Sequence, residues 1–438
     1  MEAFTIGIVG SLMLVLILIL GVHVSVALGM VGLVGMFFLV GPDASIYTSA
    51  TLAFGCISNY SLVIIPLYVM MGILAQESGL SSGAYECLRI WMGRFRAGLA
   101  IATVGACTLF GTLCGSSLVT ASVFAQVSAP EMRRLGYEKR FAYGVCSSGG
   151  VIGMLIPPSV LIVVYGILTQ ESIGQLLIAG ISPGIMLFLL FSLAIVLITF
   201  VKSGIVPIRS MEKVTWHQRL SSIKLIWGIA LTVGIIFGGI FFGVFSPSEA
   251  GAVACVVLLI IYSFSNKFHV KGLTSAILGT VSTSAMIFLI LIGAGIFSRF
   301  LVLSTVAPRV LEVVTSINLS PVVFLAVVCA GYMILGCFFD SISMLSITLP
   351  LLHPAAMKLG IAPMHFAMVA IISIEIGLIT PPVGLNVYAV KGVAEEDVTL
   401  EDLFAGVLPF FFMMLICVAL YILFPGLSTF LPDMIISK

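Results

Sequence analysis

Polar residues interrupt two long apolar stretches of this sequence, and their oxygen atoms could bind a cation. The first stretch contains Ser116, Ser117 and Thr120, and the second contains Asp340, Ser341, Ser343 and Thr380. Hydroxyl, carboxylate and free backbone carbonyl oxygens are the ligands that a hard cation such as Na⁺ takes in proteins. We therefore expect two cation sites, one in each half of the chain.

Asp340 is the most informative of these residues. A carboxylate inside a membrane costs at least about 2.5–3.5 kcal/mol unless it is paired or faces water. Asp340 could bind a cation or carry a proton, or it could cap the half-helix that follows it. Asn386 has two interpretations as well, because its amide could contact a substrate or a half-helix end. The sequence leaves both questions open.

Two proline pairs must position these side chains. Gly153 precedes Pro157–Pro158, and Gly377 precedes Pro381–Pro382, each pair within an apolar run. Proline removes a backbone donor and pushes the preceding residue out of helical geometry, so each run should break within the membrane. Free N–H groups at such a break suit an anion, and free carbonyls suit a cation. Matching breaks in two halves of a chain are typical of secondary transporters.

The composition indicates an all-α polytopic membrane protein. Of the 438 residues 61% are hydrophobic and 8% are charged, which favours repeated membrane spans over a soluble core. The first spans are predicted at 4–20, 24–41 and 50–76. The net charge of +1 gives no indication of nucleic-acid binding. The nine cysteines and five histidines are scattered, and we interpret them as packing residues without a metal role.

Lysine and arginine positions predict the orientation of the spans. They cluster at 77–98, 129–140, 202–224 and 265–271, and the loops near 42–49, 169–175 and 245–248 carry none. By the positive-inside rule the four clusters are cytoplasmic and the N-terminus lies outside. The stretch FSPSEAG at 245–251 predicts a helix start with a serine cap and an early proline.

The two halves of the chain come into register when they are shifted by 224 residues. The shift superposes Ser116–Ser117 on Asp340–Ser341 and both proline pairs on each other. The predicted first repeat, 1–222, contains scaffold spans within 4–76, a re-entrant hairpin at 97–128, a broken helix at 141–168 and a cytoplasmic connector at 202–222. The second repeat, 223–438, contains a hairpin at 321–352 and a broken helix at 366–391. The crossing count gives the two repeats opposite orientations, an arrangement typical of alternating access.

Several motifs resemble the large membrane subunit of TRAP (tripartite ATP-independent periplasmic) transporters. They are MGILAQESGLS at 71–81, GTLCGSSLVTASVFAQVSAPEMRRLGY at 111–137, GGVIGMLIPPS at 149–159, FSPSEAG at 245–251 and GCFFDSISML…ITPPVGLN within 336–386. The resemblance covers essentially the whole chain. It implies an elevator-type ion-transporter fold in the bacterial inner membrane.

The resemblance also implies partners, coupling and site residues. A small four-helix membrane subunit and a soluble periplasmic binding protein would work with this chain, the small subunit as a separate chain, to import an organic acid, typically a carboxylate, with Na⁺. The implied sodium sites comprise Ser116, Ser117, Gly149, Gly153 and Pro157 in the first half, and Asp340, Gly377, Thr380 and Pro382 in the second. The residues expected to contact the substrate are Ser117, Thr120, Pro158, Ser341 and Asn386.

Two other classes of function stay open at this stage. A self-sufficient Na⁺- or H⁺-coupled anion or dicarboxylate symporter would share the hairpins and repeats but would need no binding protein. A membrane-embedded enzyme would use Asp340 and Glu375 as a carboxylate pair, and the matching breaks would then have no role. The sequence contains no H-E-x-x-H motif, so we do not expect an enzyme, and it contains no P-loop, so we do not expect an ATP-driven pump.

Overall fold

The computed structural model describes residues 2–436 except 94, 96, 202–203, 207–213, 266 and 318. Regular secondary structure in these residues is helical throughout, which confirms the all-α class. Five residues of the predicted basic clusters lie outside the described part of the chain, as does much of the predicted connector at 202–222. These five are Arg94, Arg96, Lys202, Arg209 and Lys213.

The first half of the chain contains thirteen described α-helices. They are Ala3–Ile19 (α1), Val24–Val40 (α2), Pro42–Ile57 (α3), Ile64–Glu77 (α4), Leu80–Met92 (α5), Gly98–Cys114 (α6), Ser117–Val127 (α7), Ala129–Arg134 (α8), Lys139–Leu155 (α9), Val160–Thr169 (α10), Ile173–Ala179 (α11), Ile181–Val201 (α12) and Trp216–Ser222 (α13).

The second half contains ten described α-helices. They are Trp227–Phe241 (α14), Pro247–Ser263 (α15), Val270–Leu303 (α16), Val306–Ser316 (α17), Pro321–Gly336 (α18), Ser341–Lys358 (α19), Pro363–Gly377 (α20), Leu385–Lys391 (α21), Leu400–Leu423 (α22) and Gly426–Ile436 (α23).

Four of the described helical segments are long and apolar enough to cross a membrane, and two bent pairs could supply two further spans. One bent pair is α9 and α10, which meet at 43° across the first proline pair. Six shorter apolar helices, including α6, α18 and α20, have 10–17 residues. Short apolar helices that end within the protein are what hairpins and broken spans require.

Local sequence explains where several helices begin. Ser246 accepts a hydrogen bond from the backbone N–H of Glu249, and the Glu249 carboxylate accepts one from the Ser246 N–H at 2.8 Å. This capping box confirms the helix start predicted at 245–251. The predicted single span at 50–76 is wrong, because α3 ends at Ile57 and α4 begins at Ile64. Asn59 caps a short 3₁₀ turn between them by accepting from the Ser61 N–H.

The helices form two packed groups. Helices α1 to α4 pack with α14, α15 and α16. Helix α9 packs with α6, α7, α12 and α22, and α22 also packs on α20, which contacts α18. The hairpins and broken helices therefore belong to one group, and α4 and α16 present the other group to them. Large apolar side chains cover much of the exterior, as expected for helices in contact with lipid.

An acidic loop from the second half contacts a basic segment from the first half. Arg133 donates to both Asp397 carboxylate oxygens at 2.8 Å and also pairs with Glu395. Arg140 pairs with Asp402 at 2.8 Å. The Arg133 guanidinium holds the pKa of the Asp397 carboxyl below its ordinary value. These contacts put the two segments on the same face of the molecule.

Candidate functional site

The first hairpin tip is the two-residue turn between α6 and α7. Gly115 has a left-handed φ of 58°, and Ser116 caps α7 by accepting from the Val119 N–H at 3.4 Å. A Cβ atom built on Gly115 would lie 3.0 Å from the Pro158 carbonyl oxygen. The tip can approach the first break this closely because position 115 has neither a Cβ clash nor a strained backbone.

The first break separates α9 from α10. Ser159 caps α10 by accepting from the Ile162 N–H at 3.3 Å. Just before the break, a Cβ atom on Gly153 would lie 2.8 Å from Gly111 Cα and 3.1 Å from Thr120 Oγ1. A glycine pair therefore lets the hairpin pack directly against the end of α9.

The second hairpin tip joins α18 to α19 and carries Asp340. One Asp340 carboxylate oxygen accepts from the backbone N–H groups of Ile342 and Ser343, each at 3.1 Å. The Ser343 hydroxyl donates to the other oxygen. Asp340 is thus the N-cap of α19, one of the two roles left open by the sequence, and cation binding by Asp340 stays a prediction.

The second break separates α20 from α21 and repeats the contacts of the first. A Cβ atom on Gly377 would lie 2.6 Å from Gly336 Cα. Cys337 Sγ donates to the Pro381 carbonyl at 3.1 Å, so the second tip also touches its break. Thr380 Oγ1 donates to the Ile376 carbonyl at 2.7 Å. Its hydrogen is therefore engaged and its lone pairs are free, which is the state a cation ligand needs.

The two tips meet at one cavity of about 320 Å³. Ser116 and Ser117 line it from the first tip, and Asp340 and Ser341 line it from the second. The opposite side is formed by α4 and α16, chiefly by Gly72, Gln76, Thr283 and Met286. The described residues of the lining include one carboxylate and no lysine, arginine or histidine. This described lining therefore offers no positive side chain with which to hold an anion.

Behind the cavity lies a group of buried polar side chains. Ser341 Oγ donates to Glu375 Oε1 at 3.1 Å, and the Ser117 hydroxyl faces the same carboxyl without a hydrogen bond of good geometry. Glu375 is fully buried, and its Oε2 makes no hydrogen bond. The hydroxyls of Thr120 and Ser148 and both amide atoms of Asn386 are also buried without a hydrogen bond. Groups of this kind are rare and are expected where a ligand or water binds.

Four of the predicted site residues line the cavity, and the others lie elsewhere. Thr120, Gly153 and Gly377 lie in the contacts behind the tips, and Asn386 is buried on α21, which packs on α7 and α9. Gly149 packs on Cys107. Pro157 lines a separate, largely apolar cavity of about 450 Å³. Pro158 approaches the first tip, and neither cavity includes Pro158, Thr380 or Pro382 among its described lining residues.

Sequence reasoning missed part of this site. It placed Glu375 in an enzymatic carboxylate pair and left it out of the predicted cation and substrate sites, and it did not consider Ser148, Gln76 or Thr283. In the structure Asp340 and Glu375 are bound by different groups, the α19 backbone and Ser341 respectively. A carboxylate two residues before Gly377, just ahead of the second predicted break, was the available signal for Glu375. Gln76 and Thr283 carried no such signal, because they join the site only through helix packing.

The fold resembles that of known membrane transporters. The crystal structure of the Alcanivorax borkumensis YdaH transporter superposes with a TM-score of 0.61, at 16% identity, over 89% of this chain and 90% of that one. Interrupted helices whose ends meet at a cavity between two helix groups are typical of secondary transporters.

Sequence comparisons identify the family. The family model described as "Tripartite ATP-independent periplasmic transporter, DctM component" matches residues 11–427. A C4-dicarboxylate TRAP transporter large permease protein from Pseudomonas aeruginosa is 33% identical over 397 residues, which are 90% of this chain and 91% of the relative. A sialic acid TRAP transporter large permease protein from Vibrio cholerae is 30% identical over 402 residues, 92% and 93% of the two chains. The chain belongs to the DctM component family of TRAP transporters, as its motifs predicted.

Proposed function

We propose that this chain is the large permease subunit of a Na⁺-coupled transporter that imports an organic acid delivered by a binding protein. The observation that carries the proposal is the cavity at the two tips, which contains Asp340 and, in its described lining, no basic side chain. A carboxylate cargo would be repelled there by Coulomb interaction unless cations entered with it. The hydroxyl and carboxylate oxygens of the tips suit Na⁺.

The mechanism we propose is elevator-type alternating access. The group that contains both hairpins and both broken helices would move as a unit against the group that contains α4 and α16. The cavity lies between the two groups, so movement of one past the other would carry its contents across the membrane. The membrane would be the bacterial inner membrane, with the N-terminus outside and the Arg133–Asp397 face in the cytoplasm.

The partners we propose follow from family membership, since the family name describes a three-part system. A small four-helix membrane subunit would bind this chain, and a soluble periplasmic protein would deliver the substrate. The relatives carry C4-dicarboxylates and sialic acid according to their names. Both are carboxylates, and we extend only this chemical class to the present chain.

Reconstitution into liposomes tests the proposal. The complex with its small subunit and binding protein should accumulate labelled succinate or another carboxylate when an inward Na⁺ gradient is imposed. Choline in place of Na⁺ should abolish accumulation, and so should omission of the binding protein. Uptake driven by a pH gradient without Na⁺ would contradict sodium coupling. Uptake by the membrane subunits alone would favour a self-sufficient symporter.

A further inference from the structure

Glu375 is the point at which the two hairpin tips converge. It lies two residues before the end of α20 and is fully buried. Ser341 of the second tip donates to its Oε1 at 3.1 Å, and the hydroxyl of Ser117 from the first tip faces the same carboxyl. Ser117 and Ser341 also line the cavity. One carboxyl therefore stands directly behind two cavity residues from opposite halves of the chain.

The direction of these interactions decides what the cavity can bind. A serine hydroxyl has one hydrogen to donate and two lone pairs with which to accept. When Ser341 donates to Glu375, its hydrogen points away from the cavity and its lone pairs are left for other partners. The Ser117 hydroxyl faces the same carboxyl but makes no hydrogen bond to it. A Ser117 hydrogen turned toward Glu375 would likewise leave the serine lone pairs to the cavity, so that both hydroxyls present acceptors there.

Oxygen lone pairs attract a cation or a hydrogen-bond donor and repel a carboxylate. The Asp340 carboxylate, which lines the same cavity, adds to this preference. If instead the serines bound a cargo carboxylate directly, they would have to turn their hydrogens outward. Glu375 would then lose its hydrogen bond while remaining fully buried, at a substantial desolvation penalty.

We propose that Glu375 is a positioning residue that holds the Ser117 and Ser341 hydroxyls with their lone pairs toward the cavity, so that a carboxylate cargo meets them only through a bound cation. The proposal deepens the sodium-coupled function and depends on it for the identity of the cation. It assigns Glu375 no contact with the cargo, since Glu375 acts through the two serines.

A double-mutant cycle in purified protein tests this role. The thermal unfolding midpoint is titrated with NaCl against choline chloride at constant ionic strength, because a ligand that binds only the folded state stabilises it. Glu375→Met removes the acceptor, and it should raise the half-saturating Na⁺ concentration at least about fivefold. Glu375→Gln keeps an acceptor oxygen and should have a smaller effect. In a Ser117→Ala/Ser341→Ala background, Glu375→Met should change that concentration less than about twofold.

Ser346→Ala is the matched control for the serine substitutions. Ser346 is another buried serine of α19, but its hydroxyl donates to the Ile342 backbone carbonyl instead of to Glu375. In the Ser346→Ala background the fivefold effect of Glu375→Met should persist. If Glu375→Met raises the half-saturating Na⁺ concentration just as much in the Ser117→Ala/Ser341→Ala background, the proposal is overturned, because Glu375 would then act without the two serines. If Na⁺ stabilises the wild type, a Glu375→Met variant with the same half-saturating Na⁺ concentration would overturn it as well.

Infrared difference spectra separate this inference from the sodium hypothesis. Subtracting the Glu375→Gln spectrum from that of the wild type isolates the Glu375 carboxyl band. Ser341→Ala should shift this band, and Ser346→Ala should leave it in place. A band that Ser341→Ala does not move would overturn the positioning role whether or not Na⁺ binds. If the band moves but Na⁺ stabilises no variant, the proposed sodium coupling fails and the orientation of the serines stands.

Discussion

The first hairpin tip caps its second helix with a hydroxyl, Ser116, whereas the second tip caps its second helix with a carboxylate, Asp340. Serine and aspartate are nearly equivalent as N-caps, so helix capping gives no reason for the difference. The tips differ in the charge that they bring to the shared cavity. The helices behind the tips also differ in acidic residues, because α20 carries Glu375 and α9 has the apolar Val151 at the matching position.

Other features of the two tips are alike. Each hairpin packs on its broken helix through a pair of glycines, Gly111 with Gly153 and Gly336 with Gly377. Each tip contacts a proline of the adjacent break. The two units therefore share their packing and differ in their electrostatics. We infer that packing is required equally in both halves and that negative charge is concentrated in one.

The largest effect is expected from breaking the shared packing. Gly153→Ala and Gly377→Ala should each destabilise the protein by about 1–3 kcal/mol, because the added Cβ meets backbone atoms that cannot easily move. Gly331→Ala in α18 is the control, since a Cβ there meets nothing within 4 Å. Thermal unfolding of the three variants is the measurement. Tolerance of alanine in one half alone would show that the two units do not pack alike.

The charge difference predicts an asymmetric response to Na⁺. Asp340→Asn should keep the cap, because asparagine caps about as well as aspartate. It should raise the half-saturating Na⁺ concentration about tenfold, which corresponds to about 1.4 kcal/mol. Ser116→Asn is the matched change at the first tip and should alter Na⁺ binding much less. Equal effects of the two substitutions in a Na⁺ titration of the unfolding midpoint would remove the proposed asymmetry.

Removal of the first cap should have a smaller effect. Ser116→Ala leaves the Val119 N–H without its partner and should cost about 1 kcal/mol. Ser116→Asp restores a capping oxygen and should recover most of the loss at neutral pH. The unfolding midpoints of the two variants at low Na⁺ provide the check. A Ser116→Asp variant no more stable than Ser116→Ala would mean that capping is not the structural role of position 116.

The smallest effect concerns the ion pairs at the face formed by Arg133 and Asp397. The folded-state pKa of Asp397 is lowered, mainly by its hydrogen bonds with Arg133. The pair therefore stabilises the protein above the unfolded-state pKa of aspartate, and this contribution is lost as the pH falls through the lowered folded-state value. Arg133→Gln should lower the unfolding midpoint slightly at pH 7 and low ionic strength, and the difference from wild type should shrink below about pH 4. A difference that does not change with pH would exclude this ion pair as its cause.

Local sequence was sufficient to predict several helix starts and both helix breaks. The proline pairs located both breaks, with α9 ending at Leu155 and α20 at Gly377. The sequence also predicted the helix start at Ser246 and the polar tips at Ser116 and Asp340. Caps and breaks depend on residues within one or two helical turns, so local sequence is enough to predict them. The high apolar content also predicted a membrane protein, because composition can be interpreted without knowing which residues are in contact.

Only the tertiary structure brought those units together. The hydrogen bond from Ser341 to Glu375 joins residues 34 positions apart, and the pairing of Arg133 with Asp397 joins residues 264 apart. The sequence around either residue of such a pair does not indicate which distant residue it contacts. Gln76 and Thr283 reach the cavity because α4 and α16 pack against the hairpins. Residue types along the chain predict which side chains could bind a cation, and the packing of distant helices places four of them at one cavity.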